Sequence, residues 1–140
     1  MAATLQIQIR QTSDSTSEAS IRHHRVLIDR PEAKGGADAG PMGGELFLAS
    51  IGGCFMSNLL AAAKARGVNF TGFETAVTGE LGSTPDRFVA VELVVSASNS
   101  DPDVLGKLVE IADRGCIMMN TLRDKLEIRT RVVSAQSALH

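Results

Sequence analysis

The two cysteines of this 140-residue chain, Cys54 and Cys116, are the residues best suited to covalent chemistry. A cysteine reacts as its thiolate, so a nucleophilic cysteine needs surroundings that lower its pKa from about 8.5. Two thiols in one chain can be buried bystanders, metal ligands, or a redox pair that alternates between thiols and a disulfide. The residues around each cysteine favour one of these three roles.

Cys54 follows Gly52 and Gly53 in an apolar stretch that predicts a helix. Paired glycines weaken a helix, so either another helix packs closely here or a second element or a substrate approaches the backbone beside the thiol. The middle of a helix gains little from the helix dipole, so we expect a cationic side chain to activate Cys54. The candidates are arginines that precede the helix: Arg22 and Arg25 first, then Arg30.

The histidine pair His23 and His24 raises the alternative of a zinc site shared with the thiols. The paired spacings typical of zinc ligands are missing, so we expect no metal and no other cofactor. Asp29 and Glu32 match no metal or catalytic motif, and we interpret both as solvated loop charges.

Composition excludes several classes of protein. The net charge of -2 and the pI near 5.9 argue against a dedicated nucleic-acid binder. The N-terminus shows no signal peptide, and no stretch reaches about 18 apolar residues, although 46–63 comes closest. We therefore expect a cytoplasmic protein without a membrane span, in a compartment where thiols stay reduced.

Hydrophobic periodicity predicts an α+β domain in the order β-β-α-β-β-α-β, with an antiparallel sheet backed by two main helices. One domain is expected over 1–140. Its predicted parts are an N-terminal hairpin within 4–28 (strands 4–10 and 19–28), a loop at 30–44, a helix at 45–66 that carries Cys54, and a second half at 69–133. That half contains strands at 69–81 and 87–97, a helix starting near 101, Cys116 directly after it, a helical turn at 117–124 and a strand at 126–133.

Two segments resemble the OsmC/Ohr family of osmotically inducible and organic hydroperoxide resistance proteins. The stretch 44–54 (GELFLASIGGC), after a Pro/Gly-rich loop, is similar to the family's helix signature. The segment 112–122 (ADRGCIMMNTL) resembles the family's second cysteine motif, with Ile117 where many members have proline. His24 and Asp29 resemble a strand motif of many members. The resemblance extends over about residues 20–133.

The resemblance implies an intertwined homodimer with an OsmC-like fold and active sites at the interface. It makes Cys54 the peroxidatic cysteine and Cys116 the resolving one. Members of the family reduce organic hydroperoxides, are recycled by dithiols such as lipoamide, and need no cofactor. In hydroperoxide-specialised members a glutamate ten residues before the peroxidatic cysteine orients the activating arginine. Gly44 stands there in this chain and Glu45 is the neighbouring candidate, which places the chain nearer the broad OsmC-like branch.

Five apolar residues near the cysteines in the sequence are candidates for lining a pocket that binds an apolar peroxide: Phe47, Ile51, Phe55, Met118 and Met119. The same residues would serve equally as core or as a dimer interface. Two other functions stay open on this fold. One is a non-catalytic module that binds a small apolar ligand, and the other is a thiol-based redox or stress sensor.

Overall fold

The N-terminal strands form a three-stranded meander rather than the expected hairpin. The computed structural model describes residues 3–135; the ends of the expected 1–140 domain, residues 1–2 and 136–140, lie outside the described residues. The antiparallel strands are β1 (Gln8–Gln11), β2 (Ser17–Ile21) and β3 (His24–Ile28), in that order across the sheet. The predicted strand 19–28 is wrong in one respect. It breaks at Arg22, whose φ of 55° makes a two-residue turn between β2 and β3.

Asp29 is buried, and its interpretation as a solvated loop charge is wrong. The residue is 3% exposed. The carboxylate accepts hydrogen bonds from the Thr16 hydroxyl at 2.9 Å and from main-chain N–H groups of the following loop. Those donors are the amides of Arg30 at 2.7 Å, Ala37 at 3.1 Å and Ala39 at 3.1 Å. Glu32 is exposed, as expected.

The hydrogen bonds to Asp29 have an electrostatic consequence. Burial raises the pKa of this carboxyl, but the amides and the hydroxyl favour the ionised form and hold its pKa well below its usual range. Asp29 directly follows β3, and its carboxylate binds amides from both ends of the loop segment 30–39. It therefore fixes the irregular segment that precedes the cysteine helix.

The second sheet consists of β4 (Thr71–Gly82), β5 (Arg87–Ser98) and β6 (Glu127–Val132), with β5 in the centre. β4 and β5 are antiparallel, as expected. β6 runs parallel to β5, so the expectation of a wholly antiparallel sheet is wrong for this strand. The reason is the helical connection between β5 and β6, because a parallel pair needs a crossover of a dozen or more residues. Burial on both faces explains the near-continuous apolar run of β5.

Three α-helices lie in the described part of the chain: α1 (Gly43–Ala65), α2 (Pro102–Gly115) and α3 (Ile117–Leu122). The side chain of Asp101 caps α2 by accepting from the amides of Asp103 at 2.9 Å and Val104 at 3.4 Å. The buried stripe of α2 packs on β5 and β6. The α+β class, with helices backing the second sheet, is therefore confirmed.

The close approach of α1 to β4 depends on glycine. A Cβ built on Gly52 would lie 2.6 Å from Cγ2 of Val77, whereas one built on Gly53 would meet nothing within 4 Å in the described chain. Close packing therefore explains Gly52. Gly53 leaves the main chain of α1 uncovered next to the Cys54 thiol.

The chain divides into two compact units, Met1–Phe47 and Leu48–His140. The expectation of a single domain stays a prediction. By length and composition alone, α1 could cross a membrane, contrary to the expectation that no stretch would qualify. The core helix of a soluble protein passes the same test, and 33% of the apolar window of α1 is buried, including Ile51, Phe55 and Leu59.

Candidate functional site

Both cysteines belong to the second unit, and the fold brings their side chains into contact. Cys54 is half-buried on α1, at the edge of the face that buries Ile51 and Phe55. Cys116 is completely buried at the junction of α2 and α3. Neither sulfur is in a disulfide, and the two thiols shift each other's pKa, with Cys116 acting as the hydrogen-bond donor to Cys54.

The break between α2 and α3 supplies further donors. Cys116 adopts extended backbone angles, φ -82° and ψ 121°, which end one helix and begin the next. The first N–H groups of a helix have no partner within that helix. Here the amides of Ile117 and Met118 donate toward the Cys54 sulfur. The start of α3 therefore provides the electropositive surroundings that the middle of α1 lacks.

The pKa of Cys54 lies below its ordinary value. Burial raises the pKa of this thiol, but three hydrogen bonds outweigh burial, in decreasing order those from the Met118 amide, the Cys116 thiol and the Ile117 amide. Each of them stabilises the thiolate over the thiol. The sequence suggested a cationic side chain for this purpose, whereas the groups that lower the pKa here are main-chain amides and the second thiol.

The pKa of Cys116 is shifted the other way. Burial is the largest cause and raises the pKa of this thiol, and both the hydrogen bond to Cys54 and the negative charge of the Cys54 thiolate raise it further. Amides of Met119 and Met118 offset only part of this effect. The pair is thus asymmetric: Cys54 ionises first, and Cys116 keeps its proton.

A set of polar contacts holds α3 against the end of α2. The Arg123 guanidinium donates to the Asn120 side-chain oxygen at 2.8 Å and to the main-chain oxygen of Asp113 at 3.3 Å. It also pairs with the Asp113 carboxylate at 3.5 Å. The amide of Asn120 donates to the main-chain oxygen of Arg114 at 3.0 Å. These contacts span the Cys116 junction and fix the amides that face Cys54.

One polar side chain at the site was missed from the sequence. Asn58 lies one helical turn after Cys54, and its Nδ2 donates to the Cys54 main-chain oxygen at 2.9 Å and lies 4.0 Å from the Cys54 Sγ. The spacing i, i+4 on a predicted helix was the available signal, because residues so spaced lie on the same face.

The predicted activating residues lie in the first unit. Arg22 is exposed at the β2–β3 turn. Arg25 donates to Glu18 at 2.9 Å and to Ser20 at 3.3 Å across the sheet. Glu45, in the first turn of α1, accepts from the Met42 amide at 2.8 Å, so its carboxylate caps the helix. The catalytic roles of Arg22, Arg25 and Glu45 stay predictions.

The predicted pocket residues differ in exposure. Ile51 and Phe55 are 0% exposed and Met119 is 2% exposed, so in this chain they belong to the core. Phe47 and Met118 are half-buried. The exposed apolar residue closest in sequence to Cys116 is Ile117, which is not among the predicted pocket residues.

The described residues contain no group of three or more histidine, cysteine or carboxylate side chains able to hold a metal ion. His23 and His24 are exposed, with ring centroids 4.0 Å apart.

Comparison with known proteins identifies the family. The family model described as OsmC-like protein matches residues 35–131, which include both cysteines and the helices that carry them. This chain belongs to the OsmC-like family. The resemblance suggested by the two cysteine motifs is thereby confirmed. No protein with a curated description matches the chain.

Solved structures share the fold of this OsmC-like chain. A hypothetical protein from Aquifex aeolicus VF5 superposes with a TM-score of 0.82 at 13% identity over 95% of this chain and 97% of its own. The OsmC-like protein from Mycoplasma pneumoniae gives 0.79 at 19% over 96% and 99%. An organic hydroperoxide resistance protein from Elizabethkingia anophelis gives 0.75 at 20% over 96% and 99%. At these identities the likeness shows the OsmC-like fold alone, and it confirms that predicted fold.

Proposed function

We propose that this protein is a thiol-dependent peroxidase that reduces organic hydroperoxides. The observation that carries the proposal is the contact between a half-buried thiol of lowered pKa, Cys54, and a fully buried thiol of raised pKa, Cys116. A peroxidase of this kind needs one thiol that ionises readily and a second one close enough to trap the oxidised product.

The reaction has three steps. The Cys54 thiolate attacks the outer oxygen of the hydroperoxide; a sulfur–oxygen bond forms, the O–O bond breaks, and the alkoxide takes a proton and leaves as an alcohol. The Cys116 sulfur then attacks the sulfenic acid of Cys54 as its proton passes to the departing oxygen, giving a disulfide and water. An external dithiol exchanges with this disulfide, restores both thiols and is itself oxidised.

The asymmetry of the pair suits this division of roles. A nucleophile must be ionised and reachable, and Cys54 meets both conditions better than Cys116. A resolving thiol that stays protonated and buried does not compete for the peroxide. Its proton is available for the oxygen that leaves Cys54 as water.

Two observations support the choice of an organic peroxide. Several solved OsmC-like structures are named organic hydroperoxide resistance proteins, including that from Elizabethkingia anophelis. Next to the thiols, Met118 is half-buried and Ile117 is 68% exposed, which leaves apolar surface for an alkyl group. The proposal also includes a lipoamide-like dithiol as the reductant, a homodimer as the active form and a location in the cytoplasm. Arginine activation by Arg22 or Arg25, oriented by Glu45, belongs to it as well.

A turnover assay tests the proposal. Purified protein is supplied with dihydrolipoamide, and the consumption of cumene hydroperoxide is compared with that of hydrogen peroxide. We expect faster consumption of the organic peroxide, no activity in Cys54→Ser, and a single oxidation event without dithiol-driven turnover in Cys116→Ser. Activity that survives in Cys54→Ser would exclude this mechanism. Oxidation without sustained turnover in the unmodified protein would favour the sensor.

A further inference from the structure

Asn58 is the polar side chain at the site that the proposed reaction does not yet use. It is half-buried on α1, and its Nδ2 contacts two atoms of the same residue: the main-chain oxygen of Cys54 at 2.9 Å and the Sγ of Cys54 at 4.0 Å.

The orientation of the Asn58 amide follows from its partners. A main-chain oxygen can only accept, so the NH2 end of the amide must face it. That contact engages one of the two N–H groups and holds the side chain in place. The second N–H is then available on the side of the Cys54 sulfur.

The other end of the amide faces the second cysteine segment. A Cβ built on Gly115 would lie 3.3 Å from Oδ1 of Asn58, which is tight. Gly115 directly precedes Cys116. The Asn58 amide therefore lies between the two segments that carry the thiols, and the lack of a side chain at residue 115 leaves it that room.

The distance from Nδ2 to the sulfur indicates which atom accepts a hydrogen bond from the amide during the reaction. At 4.0 Å an N–H group bonds sulfur only weakly, and Asn58 is not among the groups that lower the Cys54 pKa. Strong N–H···O hydrogen bonds span about 2.7–3.2 Å. The separation therefore suits an oxygen atom bound to the sulfur and directed at the amide better than it suits the sulfur itself.

We propose that Asn58 is a catalytic residue that donates a hydrogen bond to the oxygen atom that Cys54 removes from the hydroperoxide. The bond forms to the outer peroxide oxygen as sulfur attacks it, and it persists to the sulfenic oxygen that results. When Cys116 attacks, the S–S bond forms, the S–O bond breaks, and this oxygen leaves as water with the thiol proton. The inference rests on the proposed peroxidase function.

The test uses a Cys116→Ser background, in which the sulfenic acid cannot form the disulfide. The parent protein is compared with Asn58→Ala and with Asn58→Leu, which keeps the volume without polar atoms. Cumene hydroperoxide is added, the sulfenic acid is trapped with dimedone, and the adduct is followed by mass spectrometry. The thiolate titration of Cys54 is measured from the pH dependence of its alkylation. Lys64→Ala, an exposed change on the same helix, is the control.

Loss of the hydrogen bond that positions the attacked oxygen against the sulfur should slow sulfenic acid formation by about tenfold. The Cys54 titration should stay in place, because residues 116–118 set it. A merely structural role for Asn58 would shift the titration as well. Gly115→Ala should slow the same step to a smaller extent, since its Cβ displaces the amide.

The outcomes separate the two proposals. If the parent protein forms sulfenic acid and both Asn58 variants do so at the parent rate, the Asn58 inference is wrong and the peroxidase proposal stands. If the Cys54 titration moves together with the rate, Asn58 acts through the thiolate, and the inference is again wrong. If the parent protein forms no sulfenic acid, the peroxidase proposal fails and the inference fails with it.

Discussion

The thiols of Cys54 and Cys116 share one hydrogen bond, and that bond shifts their pKa values in opposite directions. The Cys116 S–H donates and the Cys54 sulfur accepts. Donation stabilises the Cys54 thiolate, and the same contact makes it harder for Cys116 to lose its proton. The two thiols thereby have different pKa values, although their side chains are chemically identical.

Removal of that donor should move the Cys54 titration. Cys116→Ala deletes the hydrogen bond and should raise the pKa of Cys54, whereas Cys116→Ser keeps a donor and should leave the pKa nearer its starting value. The pH dependence of Cys54 alkylation measures both. The amides of Met118 and Ile117 still act in each variant, so the rise should be partial. Identical titrations in the two variants would exclude the thiol–thiol hydrogen bond as a cause.

The two glycines before Cys54 should respond differently to alanine. Gly52→Ala places a Cβ against Val77, and such overpacking costs about 1–3 kcal/mol of unfolding free energy. Gly53→Ala meets nothing within 4 Å in the described chain, so it should gain up to about 1 kcal/mol from helix propensity. Urea unfolding followed by circular dichroism measures both. Equal destabilisation would show that Gly53 also faces a close neighbour, such as a second subunit.

Ionised Asp29 should stabilise the folded protein, and this stabilisation should decrease at acidic pH. Its folded pKa lies below the unfolded value of about 3.9, so its contribution to stability is fully present above about pH 4. The contribution is lost as the pH falls through the folded pKa. Asp29→Asn should therefore be less stable than the unmodified protein at neutral pH and should lose less stability on acidification.

The measurement for Asp29 is thermal unfolding at neutral pH and at about pH 3, below the unfolded pKa. Glu32→Gln is the matched control, because Glu32 is an exposed carboxylate three residues away in the sequence. It should behave like the unmodified protein at both pH values. A parallel loss of stability in Asp29→Asn and in the unmodified protein would assign the acid sensitivity to other carboxyls.

The sequence predicted elements that depend on local pattern. The position of Cys54 within a helix and the position of Cys116 directly after one follow from periodicity and from boundary signals. Gly67 marks the end of α1, and Pro102 marks the start of α2. The split at Arg22 was missed because a non-glycine residue with positive φ leaves no clear mark in the sequence. The parallel pairing of β6 depends on tertiary structure rather than on the strand's own residues.

The sequence predicted the two cysteines of the site but not the hydrogen-bond donors that surround Cys54. Main-chain amides carry no sequence signature, so the contribution of Ile117 and Met118 became visible only with the break between α2 and α3. Asp29 resembled any loop carboxylate until the loop amides were seen to converge on it. Asn58 was within reach of sequence reasoning, since it shares a helix face with Cys54.

Disulfide mapping after peroxide treatment tests the central claim most directly. Fully reduced protein is mixed with an equimolar amount of cumene hydroperoxide, digested without reductant and analysed by mass spectrometry. The account predicts that the peptide containing Cys54 is joined to the peptide containing Cys116, and that no such product forms in Cys54→Ser. Recovery of both peptides with free thiols after the peroxide has had time to react would contradict it.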